Sequence, residues 1–238
     1  AGLARIKPSF APTSLPATTG ESANADNPFA SIKDLKDAAK KGHVSVLFVY
    51  DSAAGSKLAK FQNTLFANED LGVAFKVFRK VGVDVAKDQV ARDLFGQKVP
   101  SFVTFNAKGE KSGELTMAGY KAKAGDVLKL LNRASRGHGE MPLKTFVKKY
   151  RSFLNELDQI EGKKSTCAQK KARLGASGKA SKLAKVAKEE KAIAMREAKI
   201  LESEKKLLAS VKAYDADPEA NKRGAGRAAK PSPPAGGG

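Results

Sequence analysis

Residues 44–57 decide the fold, and they read VSVLFVYDSAAGSK. The first part, residues 44–50, is a β-branched and aromatic run of the length that buried strands have. Residues 51–55 break this run, and apolar residues then recur at helical spacing at Leu58, Phe61, Leu65 and Phe66. We therefore predict a buried strand that leads directly into a helix.

The alternation of strands and helices continues on both sides of this stretch. Helices are predicted near residues 29–39, 90–95 and 127–131, and strands over residues 75–85, 99–105 and 114–119. Parallel strands joined by helices and followed by a hairpin predict an α/β domain over residues 29–135. Its expected form is one mixed sheet with helices on both faces.

This order of elements resembles the thioredoxin family, and two local motifs strengthen the resemblance. Val99-Pro100 opens the strand before the hairpin, where the family has a cis proline beside its redox pair. After the central strand the family places Trp-Cys-x-x-Cys-Lys. Lys57 matches the lysine of that motif, and Ala53 and Ser56 stand where the two cysteines would be. The resemblance implies a thioredoxin-like fold, a cis bond before Pro100 and a degenerate redox site.

The missing cysteines change the expected function of such a domain. Thiol–disulfide exchange requires a thiolate to attack and a second thiol to resolve the mixed disulfide, and no cysteine precedes Cys167. The sequence therefore predicts a redox-inactive domain that is not an enzyme and has no catalytic residue. The resemblance implies that a peptide or protein would bind beside the proline, at Ser52, Ala53, Ser56, Val99 and Pro100.

The composition argues against disulfides, metal sites and membrane-spanning helices. One cysteine rules out an intramolecular disulfide and a multi-cysteine zinc site, and two histidines, His43 and His138, argue against a histidine-rich metal centre. We expect both histidines to be structural or solvated, and we expect no metal and no cofactor. No run approaches the ~20 apolar residues of a membrane-spanning helix.

A clear apolar stripe runs along residues 140–161 and predicts an amphipathic helix. Three roles are open for it: docking on the body or on the next helix, binding a partner or a second copy, or lying on a membrane surface. If it binds a partner, the contact face consists of Leu143, Phe146, Tyr150, Phe153 and Leu157.

The end of the chain is strongly basic. Of the net charge of +19, residues 163–238 hold +11, from 19 basic and 8 acidic side chains. We predict a basic linker over residues 163–177, a long basic helix over 178–214 and a disordered tail over 215–238. The seven-residue spacing of Val186, Ile193, Ile200 and Leu207 suits either a coiled coil or packing on one partner surface.

This basic extension has several candidate partners. A larger assembly with a protein partner is one, and an acidic polymer or nucleic acid is another, although arginines and aromatic residues are few. The candidate polyanion contacts are Lys163, Lys164, Lys170, Lys171 and Arg173. Cys167 is interpreted as an exposed cysteine in the linker, and nearby ammonium groups favour its thiolate. A thiol-active protein using Cys167 is a weaker alternative.

Residues 1–28 are predicted to be a flexible segment. Residues 1–20 lack acids and are rich in proline and hydroxyl residues, as expected after removal of an export signal, with an organelle lumen as the alternative location. The leading hypothesis is a redox-inactive thioredoxin-like interaction module, anchored in a larger assembly by a basic helical arm. The alternative is a ribonucleoprotein-type subunit that binds phosphates electrostatically.

Overall fold

The computed structural model describes residues 8–15, 29, 32–121, 123–175 and 179–214. The strands are β1 (Ala11–Thr13), β2 (Ser45–Tyr50), β3 (Arg79–Asp84), β4 (Ser101–Phe105) and β5 (Lys111–Thr116). The helices are α1 (Lys33–Lys40), α2 (Ser56–Phe66), α3 (Glu69–Phe75), α4 (Gln89–Phe95), α5 (Ala124–Ala134), α6 (Leu143–Leu174) and α7 (Ala180–Ser210).

The strands form one mixed sheet in the order β1-β3-β2-β4-β5. β1, β3 and β2 run parallel to one another, and β4 and β5 are antiparallel additions on the other side of β2. β2 is therefore central, and every residue from Ser45 to Val49 is buried. The predictions of a buried strand over residues 44–50 and of a mixed α/β sheet are confirmed.

Two apolar layers cover the sheet, because side chains alternate between its faces along each strand. Val46 and Phe48 point to the face covered by α2, α3, α5 and α6, where Phe48 stacks on Phe102 with ring centroids 4.8 Å apart. Leu47 and Val49 point to the other face, which α1 and α4 cover. Both faces of β2 are thus core, as its mainly apolar run predicted.

The N-terminal residues contribute an edge strand. β1 pairs in parallel with β3, with Pro12 opposite Gly82, and Phe10 packs against Phe48 and Phe75 with centroids 5.4 and 5.3 Å apart. The prediction of a flexible segment is therefore wrong for residues 8–15. Proline is tolerated in β1 because the strand is at the sheet edge. The rest of the predicted segment, residues 1–7 and 16–28, lies outside the described residues.

The strand predicted over residues 75–85 is shorter than expected. Its first residue, Phe75, instead ends α3, and β3 begins at Arg79. The Asn68 side chain caps α3 by accepting a hydrogen bond from the Leu71 N–H at 2.9 Å. Glu69 and Asp70 lie in the first turn of α3, where acidic side chains are stabilising.

α6 continues through the residues predicted to be a linker. It passes Gly162, the expected helix end, and stops at Leu174, so the linker prediction over 163–177 is wrong as far as the helix reaches. A glycine inside a helix costs about 1 kcal/mol relative to alanine. Packing against α7 offsets this cost, because Ile160 and Cys167 bury themselves along the contact between the two helices.

α6 and α7 form an antiparallel helical hairpin. Lys164 is paired with Glu197 at 2.7 Å and Lys171 with Glu190 at 3.1 Å. From the first pair to the second, the residue number rises along α6 and falls along α7, so the two helices run in opposite directions. On α7, Val186, Ile200 and Leu207 are buried and Ile193 is half-buried. The predicted heptad stripe is thus used within the chain, against α6.

The far end of α7 returns to the body. The Ser210 carbonyl accepts a hydrogen bond from the Glu140 N–H at 2.7 Å, and Val211 and Ala213 are buried. Gly139 permits this contact: it has a φ of 85°, and a Cβ there would lie 2.7 Å from the Val211 Cα. The predicted disordered tail, residues 215–238, lies outside the described residues.

Candidate binding surface at the end of β2

Ala53 and Ser56, the two positions where the resemblance implies cysteines, lie in the exposed segment directly after the central strand. Residues Ser52–Ala54 form a single 3-10 turn, and α2 begins at Ser56. The Asp51 side chain caps this turn by accepting a hydrogen bond from the Ala53 N–H at 2.9 Å. Ala53, Ser56 and Lys57 are all exposed, so the turn presents small side chains and accessible backbone to solvent.

The buried carboxylate of Asp84 fixes the position of this turn through hydrogen bonds. Asp84 Oδ1, at the end of β3, accepts hydrogen bonds from the Ser52 N–H at 3.0 Å and the Ala86 N–H at 3.1 Å. Lys87 Nζ lies 3.6 Å from Asp84 Oδ2. Burial raises the pKa of Asp84, but the hydrogen bonds from Ser52 and Ala86 and the charge of Lys87 outweigh it, so the net pKa is lowered.

The proline loop lies at the same end of the sheet. Val49 is opposite Ser101 in the antiparallel β2–β4 pair, which brings Pro100 beside the end of β2. The Val99–Pro100 bond is cis, as the resemblance implied. Pro100 is buried, and its carbonyl accepts a hydrogen bond from the Met117 N–H at 2.8 Å.

Val99 is the residue of this loop that has unused hydrogen-bonding groups. Its side chain is half-buried, and neither its main-chain N–H nor its C=O has a hydrogen-bond partner within the described part of the chain. Main-chain N–H and C=O groups away from water normally form a hydrogen bond. They make Val99 a place where an extended chain can add its own backbone hydrogen bonds.

Tyr120 completes the surface and was not predicted from the sequence. Burial raises the pKa of its phenol, and the Asp51 carboxylate raises it further. Its ring packs edge-on against Phe61 with centroids 6.1 Å apart. It has a φ of 59°, which is uncommon for a residue with a side chain. Asp84 was also missed, although an acid at the end of a predicted strand was a usable signal.

Cys167 does not match its predicted environment. It is 3% exposed, and its Sγ lies 3.6 Å from Glu189 Oε2 across the hairpin. Desolvation raises the pKa of the Cys167 thiol, the Glu189 carboxylate raises it further, and Lys170 offsets only part of this. The interpretation as an exposed cysteine with a favoured thiolate is wrong, because the supposed linker is helical and position 167 faces α7.

The apolar stripe of residues 140–161 is largely buried within the chain. Leu143, Phe146 and Tyr150 are at most 4% exposed, whereas Phe153 and Leu157 are half-buried. The Tyr150 hydroxyl donates a hydrogen bond to Glu204 of α7. Of the three roles considered, docking on the body and on the next helix describes the stripe, and its first three residues are not a free partner face.

The predicted polyanion contacts divide into two groups. Lys164, Lys170 and Lys171 are paired with carboxylates of α7 at 2.7, 2.9 and 3.1 Å, so their charges are neutralised within the hairpin. Lys163 and Arg173 are exposed and form no ion pair within the described residues. In the described ranges, no three His, Cys, Asp or Glu side chains come together as a metal site. No described helix has an apolar stretch long enough to cross a membrane.

Comparisons with known proteins add little to this geometry. No protein-family model matches the chain, and no curated protein matches it. Among solved structures, it is similar to a crystal structure of a designed protein. The two are 20% identical, the match covers 52% of this chain and 94% of the other, and the TM-score is 0.33. A likeness this weak carries no argument about fold family or function.

Proposed function

We propose that the chain is a redox-inactive thioredoxin-like interaction module that binds an extended peptide at the end of β2. The strand order β1-β3-β2-β4-β5 and the cis bond before Pro100 support the thioredoxin-like fold. Ala53 and Ser56 at the cysteine positions support the absence of redox chemistry, because neither side chain can form a mixed disulfide.

One observation carries the binding proposal. The main-chain N–H and C=O of Val99 lack partners within the described residues, at the same sheet end as the exposed turn at Ala53. An extended peptide can pair with such backbone groups, as when a strand is added to a sheet edge. Small side chains at Ala53 and Ser56 leave room for the chain that binds.

The surface is also held in position before a ligand arrives. Asp51 and Asp84 hold the N–H groups of Ala53 and Ser52, so the turn does not have to be ordered by its ligand. A preorganised surface loses less entropy on binding and therefore binds more tightly for the same contacts. The α6–α7 hairpin would serve as the arm that attaches this module to a larger assembly.

The test is a titration followed by amide NMR signals, with carboxymethylated insulin B chain as an unfolded peptide that has no free thiol. We expect saturable shifts at Val99 and residues 52–56. Ala53→Arg should block the surface and weaken binding roughly tenfold, about 1.4 kcal/mol.

The matched control is Ala67→Arg, which adds the same side chain at an exposed position at the end of α2. It should bind like the wild type, which separates blocking from the added charge. Shifts confined to the hairpin, or equal weakening by both substitutions, would contradict peptide binding at this surface.

A further inference from the structure

The hairpin carries an unusual run of charge. Residues 162–188 contain nine basic side chains and no acidic one. The run covers the distal part of α6, the residues that connect the two helices and the start of α7. Its members are Lys163, Lys164, Lys170, Lys171, Arg173, Lys179, Lys182, Lys185 and Lys188.

Carboxylates of α7 neutralise only three of these charges. Glu189, Glu190 and Glu197 are each paired with a lysine of α6 across the hairpin. The other six basic side chains are exposed and form no ion pair with any residue that the structure describes. Four of them lie at the end of α6 or the start of α7 and define the hairpin tip: Arg173, Lys179, Lys182 and Lys185.

The tip stands away from the body. Leu154 is the last buried residue of α6 in the main core, and Leu174 follows it after roughly 30 Å of helix. Ile160, Cys167 and Val186 are buried outside both core clusters, in a seam between the two helices. A packed seam with ion pairs beside it makes the arm a stiff support for the four charges.

We infer that the hairpin tip binds the phosphate backbone of a nucleic-acid duplex without reading its sequence. A duplex carries one phosphate charge per about 1.7 Å of its axis, which several clustered cations can neutralise together. Sequence reading relies on bidentate contacts such as those of arginine, and three of the four charges at the tip are lysines. This surface lies apart from the proposed peptide surface and goes beyond that function.

Two other anionic partners fit the tip less well. A helix that inserts into a membrane surface has an apolar face beside its charges, but the large apolar side chains that the structure describes as exposed are Leu94, Met195 and Leu201, none of them at the tip. Single-stranded nucleic acid is held by stacking on aromatic rings, and residues 162–188 contain no aromatic residue.

Fluorescence anisotropy of the full chain with a labelled 20-base-pair DNA duplex of arbitrary sequence tests the inference. With about four phosphates neutralised, the logarithm of the association constant should fall with the logarithm of salt concentration with a slope of about −4. Affinity should then fall on the order of 10²-fold between 50 and 200 mM NaCl. Gln substitutions at Arg173, Lys179, Lys182 and Lys185 together should remove most of this slope, and each single change about one unit.

The control carries four Gln substitutions on the body, at Lys40, Lys98, Lys108 and Lys121, all exposed. It loses the same net charge and should keep the wild-type slope. Circular dichroism checks that both variants fold, and the single substitutions provide the result if the fourfold tip variant does not.

Three outcomes would overturn the inference: no duplex binding by the wild type at 50 mM NaCl, equal loss in the tip and body variants, or unchanged slopes in the single tip variants. Binding to phosphatidylserine vesicles distinguishes a membrane contact from a nucleic-acid contact. If the tip is needed for vesicle binding while the duplex is not bound, the surface is a membrane contact and the inference is wrong.

Discussion

Replacing Asp84 with alanine should loosen the turn that carries the proposed peptide surface. Asp84 is 8% exposed and its Oδ1 accepts hydrogen bonds from the N–H groups of Ser52 and Ala86. Hydrogen bonds to a charged group contribute about 1.5–3 kcal/mol each. Neither donor residue is fully buried, since Ser52 is exposed and Ala86 is half-buried. Because the turn can partly re-solvate, we expect a loss of about 2–4 kcal/mol in the free energy of unfolding for Asp84→Ala.

Urea unfolding followed by circular dichroism measures this loss. The midpoint should fall without a change in the slope, since the same surface is exposed on unfolding. Asp84→Asn keeps an acceptor for Ser52 and should lose less stability than Asp84→Ala. Asp93→Ala is the control, because Asp93 is exposed and its side chain, among the described residues, bonds only to the exposed Gln89.

The location of the change is as important as its size. The Ser52 and Ala53 amides should exchange faster with solvent in Asp84→Ala, while β2 amides stay protected. If Asp84→Ala is as stable as Asp93→Ala, or if the Ser52 amide keeps its protection, the carboxylate does not hold the turn and the reasoning is refuted.

Two further predictions concern the hairpin and its junction with the body. His138 lies beside the Lys212 carbonyl, and burial lowers its pKa in the folded chain. As the pH falls, the unfolded chain therefore binds a proton at this position before the folded chain does. The free energy of unfolding should fall as the pH drops below about 6.5 and level off below the folded-state pKa. Urea midpoints at pH 7.5 and 5 should therefore differ less in His138→Gln than in the wild type, and an equal difference would contradict the assignment. Cys167 is 3% exposed and its pKa is raised. It should therefore react with a thiol-specific disulfide reagent at least about tenfold more slowly in the folded chain than in urea. Equal rates would show that the contact between α6 and α7 does not protect the thiol.

The sheet was predictable because burial on both faces leaves a strong signal. A mainly apolar run such as residues 44–50, in which Ser45 is the one polar residue, has few structural alternatives when turn residues flank it. β1 left no such signal: it has three residues, one of them Pro12, and its place depends on pairing with β3, far away in the chain. Local patterns do not report such distant pairing.

The errors in the C-terminal third have a different cause. Gly162 and the lysines around it indicated a linker, but helix propensity is a weak prior that tertiary packing overrides. Ile160 and Cys167 continue a seven-residue apolar spacing that matches the spacing on α7. Reading the two stripes as partners would have predicted the hairpin and the burial of Cys167.

The proposed binding surface was predictable only in part. Ala53, Ser56 and Pro100 followed from the resemblance to the thioredoxin family, which implies that they lie at one end of the sheet. Asp84 and Tyr120 did not, because their roles depend on contacts between β3, the 3-10 turn and the loop after β5.

Catalysed reduction of insulin by dithiothreitol most directly tests whether the body is thioredoxin-like and redox-inactive. The wild type should leave the rate at that of the protein-free blank, because Ala53 and Ser56 provide no thiols. Ala53→Cys with Ser56→Cys, in a Cys167→Ala background, should form a disulfide and accelerate the reduction. The single Ala53→Cys variant should not turn over, because it lacks the resolving thiol. Catalysis by the wild type, or a folded double-cysteine variant with neither disulfide nor catalysis, would contradict this account of the protein.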